Sequence, residues 1–189
     1  MTYYMLEQKM PGRGPTFKRI GASPRIPGVV TWMSGKRFSV TIPEPLEFTL
    51  DEETPGRMFV YNNVQIPLMR KDLLQALVEG GVSNLDTYRA VIHDPIDNKT
   101  YDNYLAVNVV GVVAAADLDK SAYDHNSQDR MISMDFDSLA IDESKPHGAL
   151  MFRLAECVSG IAVHGKIKDC LVAHGFGYLG FVDPKDWIG

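Results

Sequence analysis

The chain has 189 residues, 45% of them apolar and 23% charged, an ordinary globular balance that can bury a core without a disulfide or metal staple. Its two cysteines, Cys157 and Cys170, lie in no CxxC motif or Cys/His cluster and read as small core residues with free thiols. The net charge of −5 disfavours nucleic acid, and it is unevenly placed: residues 1–37 carry +6, residues 38–116 carry −6 and residues 117–145 carry −5.

Tyr3 to Gln8 reads as a first strand. Residues 9–28 hold Pro11, Gly12, Gly14, Pro15, Gly21, Pro24, Pro27 and Gly28, which predicts an irregular surface loop. Val29–Met33, Arg37–Ile42, Leu46–Leu50 and Met58–Asn62 have strand length and composition. Pro67 to Glu79 is the first predicted helix. Met69, Leu73 and Leu77 lie four apart, Leu74 and Val78 widen the stripe, and Gly80-Gly81 ends it. Thr87–His93 and Thr100–Val107 form a predicted hairpin around the turn Asp94–Lys99. Val109–Ala116, Met131–Phe136, Leu139–Ile141, Leu150–Leu154 and Ile161–His164 follow as strand candidates. Lys166 to His174 places Ile167, Cys170, Leu171 and His174 on one helical face, with Gly175 as the stop. Phe176–Val182 closes as a strand. Many strands and two or three helices predict one α+β domain over residues 1–189 with mainly antiparallel sheet.

No charged leader precedes a long apolar stretch, and Leu105–Ala116 is too short to span a bilayer, so the expectation is a cytoplasmic protein with no membrane contact. The chain contains no GxGxxG, P-loop, GxSxG, HExxH or CxxC motif. His93, His125 and His147 have no partner at metal-ligand spacing. His164 and His174 flank the second helix about 15 Å apart, too far to share one zinc. These observations predict no catalytic residues, no metal and no cofactor.

Asp117, Asp119, Asp124, Asp129, Asp135, Asp137, Asp142 and Glu143 recur through a region poor in bases. On a strand, Asp135 and Asp137 would share one face while Met134 and Phe136 take the other. A solvated sheet face explains such a pattern; so does a docking surface for a basic protein. The calcium-loop pattern fails at Asp117–Ser121, which lacks the required glycine and closing glutamate. Lys9, Arg13, Lys18, Arg19, Arg25, Lys36 and Arg37, with Phe17 and Trp32, form a basic N-terminal set that matches no nucleic-acid-binding signature. Trp187 reads as an anchor for the C-terminal tail.

The order of segments carries a resemblance. Tyr3-Tyr4-Met5-Leu6 opens the chain. The helix with Leu73, Leu74 and Leu77 precedes Gly81-Val82-Ser83-Asn84-Leu85 and Tyr88. Tyr101 to Val110 reads YDNYLAVNVV, then come Ala116-Asp117-Leu118-Asp119 and Ser121. Leu150-Met151-Phe152-Arg153-Leu154 and Gly175-Phe176-Gly177-Tyr178-Leu179-Gly180-Phe181 complete it. From about Tyr3 to Phe181, and least over residues 9–60, the chain resembles immunity family eleven of the bacterial polymorphic-toxin systems. The resemblance implies a protein that binds and neutralises a cognate toxin, with no catalytic residue and no cofactor. The absence of an export signal adds a toxin that acts in the cytoplasm, and the acidic balance suits a basic one. Asp117, Asp119, Asp135 and Asp137 are the predicted partner-binding residues. Arg153 is added to them, against the alternative of a buried or half-buried salt bridge. Two other readings compete: a metal-dependent hydrolase built on the aspartates, and a secretion-associated regulatory binding module.

Overall fold

A computed structural model describes residues 2–9, 16–126 and 133–189, and in them the chain forms a single α+β domain, mostly sheet, with thirteen strands and two helices. In chain order these are β1 (Tyr3–Glu7), β2 (Ile20–Ala22), β3 (Leu46–Leu50), β4 (Tyr61–Asn62), β5 (Leu68–Arg70), α1 (Lys71–Glu79), β6 (Leu85–Asp94) and β7 (Lys99–Val109). Then follow β8 (Val112–Val113), β9 (Ala122–Tyr123), β10 (Phe136–Ser138), β11 (Met151–Leu154), β12 (Ile161–His164), α2 (Gly165–Ala173) and β13 (Gly180–Val182). A six-stranded sheet runs β2-β3-β6-β7-β5-β4, and a five-stranded sheet runs β13-β1-β12-β11-β8. Strands β9 and β10 make a separate two-stranded ribbon. Most pairings are antiparallel; β3 with β6 and β8 with β11 are parallel.

Period-two alternation sorts the side chains into layers. In β7, Tyr104 and Ala106 enter one core, while Val107 and Val109 enter another with Leu105 packed against it. In β1, Leu6 joins the second of these and Tyr3 and Met5 join a third. The middle core holds both helices between the sheets, through Leu73, Leu77, Ile167 and Leu171. Outside the six-stranded sheet, Ile26, Trp32 and Ile42 cover Leu46, Phe48, Ala90 and Ile92. Outside the five-stranded sheet, Met134, Phe136, Leu139 and Trp187 cover Phe152, Leu154 and Ala162.

Several expectations change. Val29–Met33 and Arg37–Ile42 are not strands. Pro27 and the positive-φ residues Gly28 and Gly35 break the extended run, so this segment covers a sheet face by side-chain burial without joining a ladder. Helix α1 begins at Lys71, because Leu68, Met69 and Arg70 pair with Ala106, Leu105 and Tyr104 as strand β5. Met69 faces the same core as Leu73, so a strand residue counterfeited the first step of a helical stripe. Leu139–Ile141 contributes one isolated bridge, Ile141 to Ala116, and of Phe176–Val182 only the last three residues are extended. Met131, Asp129 and Arg13 lie outside the described residues. The predicted loop 9–28 contains the edge strand β2.

Candidate functional site

Of the acidic residues named from the sequence, those described lie on two segments that hydrogen-bond to each other as one lobe. Residues 115–124 and 135–142 run antiparallel. Asp117 N–H donates to the Ala140 carbonyl (2.8 Å), Asp142 N–H to the Ala115 carbonyl (2.8 Å) and Asp124 N–H to the Asp135 carbonyl (2.9 Å). The Ser121 hydroxyl donates to the Asp117 carbonyl and accepts from Ala140 N–H, closing the turn between them. Tyr123 packs on Phe136 with ring centroids 6.0 Å apart, and Phe136 lies on Trp187 at 6.2 Å. A packed underside therefore supports the carboxylates.

Asp135 and Asp137 are exposed, while Met134 and Phe136 between them are buried, the two-sided pattern expected of an extended segment. Asp119 is exposed on the adjoining turn. Asp117 is half-buried, with its carboxylate 2.6 Å from the Lys120 ammonium. The hydrogen bond from Lys120 holds the Asp117 carboxyl below its ordinary pKa, and the Asp117 carboxylate raises Lys120 in return. Asp142 accepts from both the N–H and the hydroxyl of Ser144, and these bonds lower its pKa. Asp119 and Asp142 also act on Lys120, which sits as one cation among three carboxylates.

Two acids were not legible from the sequence. The Leu139 N–H donates to the Pro184 carbonyl (3.0 Å), and the Gly189 N–H donates to the Phe136 carbonyl (3.1 Å). These bonds carry exposed Asp183 and Asp186 to the side of β10. A contact across more than forty residues leaves no local pattern to read.

Arg153 stands apart from this face. It is fully buried in β11, on the side opposite Phe152 and Leu154. Its Nη1 donates to the Val158 carbonyl (2.8 Å) and its Nη2 to Asn63 Oδ1 (3.3 Å). The salt bridge weighed for it is not found among the described residues. A side chain with no exposed surface cannot join an external contact, so the structure does not place Arg153 with the four aspartates.

The basic N-terminal set is also reduced. Lys18 is buried, with its ammonium 2.6 Å from Asp94 and 2.8 Å from Asp97. Arg37 pairs with Asp86 while staying exposed, as Arg19, Arg25 and Lys36 are. Arg25 borders an apolar groove of about 680 Å³ walled by Ile26, Val29, Trp32, Met33 and Ile66. His164 caps α2, accepting from Lys166 N–H (3.1 Å), and His174 sits at its other end, 2.7 Å from Glu79. Among the described residues, no three His, Cys, Asp or Glu side chains gather as ligands of one cation would. No helix of the described residues is long and apolar enough to cross a membrane.

A scan against protein-family models matches none, and a search of curated proteins returns no match.

Proposed function

We propose that this protein is an immunity protein that binds and neutralises a cognate toxin, basic in charge and active in the cytoplasm, through the acidic lobe of residues 117–124 and 135–143. The observation that carries the reading is the placement of Asp119, Asp135 and Asp137 on the exposed side of segments whose other side is core. Carboxylates held on a hydrogen-bonded support keep their geometry when a partner arrives, so less order has to be gained on binding. Complementary charge raises association rates by orders of magnitude and suppresses wrong partners. The order of motifs along the chain, which resembles the immunity family, supplies the identity of the partner as a toxin.

Co-expression tests it. The gene adjoining this one, expressed alone, should arrest cells if it encodes the toxin. This protein should rescue them and co-purify with the product. Asp119→Lys with Asp137→Lys should slow association at least tenfold, and raised salt should slow the wild type in the same direction. Rescue with no salt dependence, and with unchanged association by the double variant, would move the contact off the acidic lobe. Failure of rescue and of co-purification would remove the immunity reading.

A further inference from the structure

We propose that the groove of about 680 Å³ bordered by Arg25 is a binding site for a small monoanion with an apolar body, of the chemistry of a medium-chain fatty acid. The groove opens outside the six-stranded sheet, whereas the acidic lobe covers the outer side of the five-stranded one. The two sites are separate, and either reading can fail while the other stands.

The groove is built into the fold. Ile26, Trp32 and Ile66 belong to the core that covers the six-stranded sheet, and they form its floor. The Trp32 ring meets Phe38 and Tyr88 edge-on, with centroids 4.7 Å and 5.5 Å away. One wall is the turn from Ile26 to Val29. The Val29 N–H donates to the Ile26 carbonyl (3.1 Å), Pro27 takes the second position and Gly28 has φ +82, the combination of a type II turn. A Cβ at Gly28 would stand 2.8 Å from Val40 Cγ1, so Val40 backs this turn. From another part of the chain, Gln65 reaches the groove with φ 51. A non-glycine residue in the left-handed region is uncommon, and such positions cluster at ligand clamps.

Apolarity, size and charge set the chemistry of the ligand. Val29 and Met33 add apolar wall above the floor, and Val30 stands at the rim 99% exposed. Val64, next to Gln65 in the chain, is 64% exposed. Single apolar side chains on a surface are ordinary, but apolar groups that continue a formed hollow mark a binding surface. The volume falls within the range of small-molecule sites, about 300–1,000 Å³. Among the described residues, Arg25 is the one charged side chain on the walls, and it makes no ion pair or hydrogen bond with any of them. Lys36 is exposed three residues beyond Met33, within about 11 Å of it by chain length. The carboxylates that act on Tyr88, which packs on Trp32, are Asp86 and Glu44, and they are paired with Arg37 and Arg89. The field at the groove is therefore positive and its body apolar. Thr31 and Gln65 supply polar contacts for a head group. The Thr31 hydroxyl accepts from Met33 N–H (3.1 Å), which leaves its proton to give.

Titration of the full chain with octanoate, 1-octanol and octyltrimethylammonium at constant ionic strength, below their micelle concentrations, tests the proposal. The three probes share one apolar chain and differ in the charge of the head. The readouts are calorimetry and the indole N–H resonances of Trp32 and Trp187, the second of which lies in the core outside the other large sheet. Octanoate should bind at one saturable site, move the Trp32 resonance and leave that of Trp187 in place. It should bind about fivefold more tightly than octanol, the size of an exposed ion pair, and the cation should bind more weakly than either. Arg25→Gln should bring octanoate and octanol to the same affinity. Val30→Asp removes apolar rim and sets a carboxylate there, and should weaken octanoate about tenfold. Both positions are exposed, so the urea midpoint should stay near wild type and show that the fold is kept. No saturable binding of octanoate, binding that leaves Trp32 unmoved, or an undiminished preference for the anion in Arg25→Gln overturns the proposal. A dimer that Val30→Asp dissociates, with no octanoate bound, assigns the groove to a second copy of the chain and overturns it too. Binding of phosphatidylglycerol vesicles without binding of octanoate assigns a membrane surface, with the same consequence.

Discussion

The ammonium of Lys18 lies 2.6 Å from the carboxylate of Asp94, with both side chains almost wholly buried. Burial alone would raise the Asp94 carboxyl, but the hydrogen bonds from Lys18 and from the Asp97 backbone more than offset it and hold the carboxyl below its ordinary value of 3.8. Burial alone would lower Lys18, and the two carboxylates outweigh it and raise Lys18 above 10.5. The pair ties the segment before β2 to the end of β6. Breaking a buried ion pair by removing one partner costs about 3–5 kcal/mol, because the other charge remains in the interior. Lys18→Met should therefore destabilise the protein by about that amount in urea titrations at pH 7. A depressed carboxyl pKa gives stability that is present above the unfolded value and is lost as pH falls through the folded one. The gap between wild type and Lys18→Met should accordingly narrow below about pH 4.

The two helices are joined at their C-terminal ends by His174 and Glu79, 2.7 Å apart. His174 Nδ1 is also 2.8 Å from the Cys170 carbonyl, so a doubly protonated ring donates to both acceptors. These two bonds, the carbonyl first, raise His174 above its ordinary 6.5, and the Gln75 amide and His174 lower Glu79 below 4.5. A raised histidine gives stability that is complete below its unfolded pKa and lost as pH rises through its folded pKa. A lowered glutamate gives stability that is lost on the acid side. The link is therefore strongest between about pH 4.5 and 6.5. Histidine resonances followed by NMR should place His174 above 6.5. His174→Gln should lower the melting temperature more at pH 6 than at pH 8.5. Equal effects at the two pH values would show that protonation does not contribute.

Trp187 is 5% exposed, packs beside Phe136 and donates its indole N–H to Glu7 Oε1 (2.9 Å). It holds the C-terminal tail against β1 and β10. A Cβ added at Gly160 would stand 3.0 Å from the same ring, so the chain approaches the indole as closely as glycine allows. Trp187→Ala should cost roughly 3–5 kcal/mol in denaturant unfolding, as large aromatic truncations do. Trp187→Phe keeps part of the packing and loses the hydrogen bond, and should cost about 1–2 kcal/mol.

Legibility in the sequence followed the range of the determining interaction. Leu46–Leu50 was readable from its alternation, Ile161–His164 as a short apolar run, and the hairpin from the turn with Pro95 between two strand-like runs, all signals that act within about ten residues. The stop at Gly80-Gly81 was readable for the same reason, with Gly81 at φ +104. Strand β5 was not, since only pairing with β7 makes Leu68–Arg70 extended. Of the site, the solvent side of Asp135 and Asp137 was visible in the alternation with Met134 and Phe136. The addition of Asp183 and Asp186 was not, and neither was the burial of Lys18; for Arg153 burial was one of two readings, and what the sequence did not show is that carbonyl and amide oxygens, Val158 and Asn63, receive it in place of a carboxylate. A lone basic residue in a strand or loop carries no sign of which sheet will close over it.

The acidic lobe separates carboxylates that hold it together from carboxylates that only face outward, and stability measurements can tell them apart. Asp117 joins its turn to Ala140 through the backbone and pairs with Lys120 through its side chain. Asp119 and Asp137 are exposed, and surface substitutions away from packed features usually change stability by less than about 0.5 kcal/mol. Asp119→Lys and Asp137→Lys should each leave the urea midpoint close to wild type, or raise it slightly by relieving repulsion among neighbouring acids. Asp117→Lys places a second cation against Lys120 in a half-buried position, so it should lower the midpoint clearly, while Asp117→Asn should lower it less. If Asp119→Lys and Asp137→Lys destabilise as much as Asp117→Lys, these acids are structural, and their exposure cannot be taken as room for a partner.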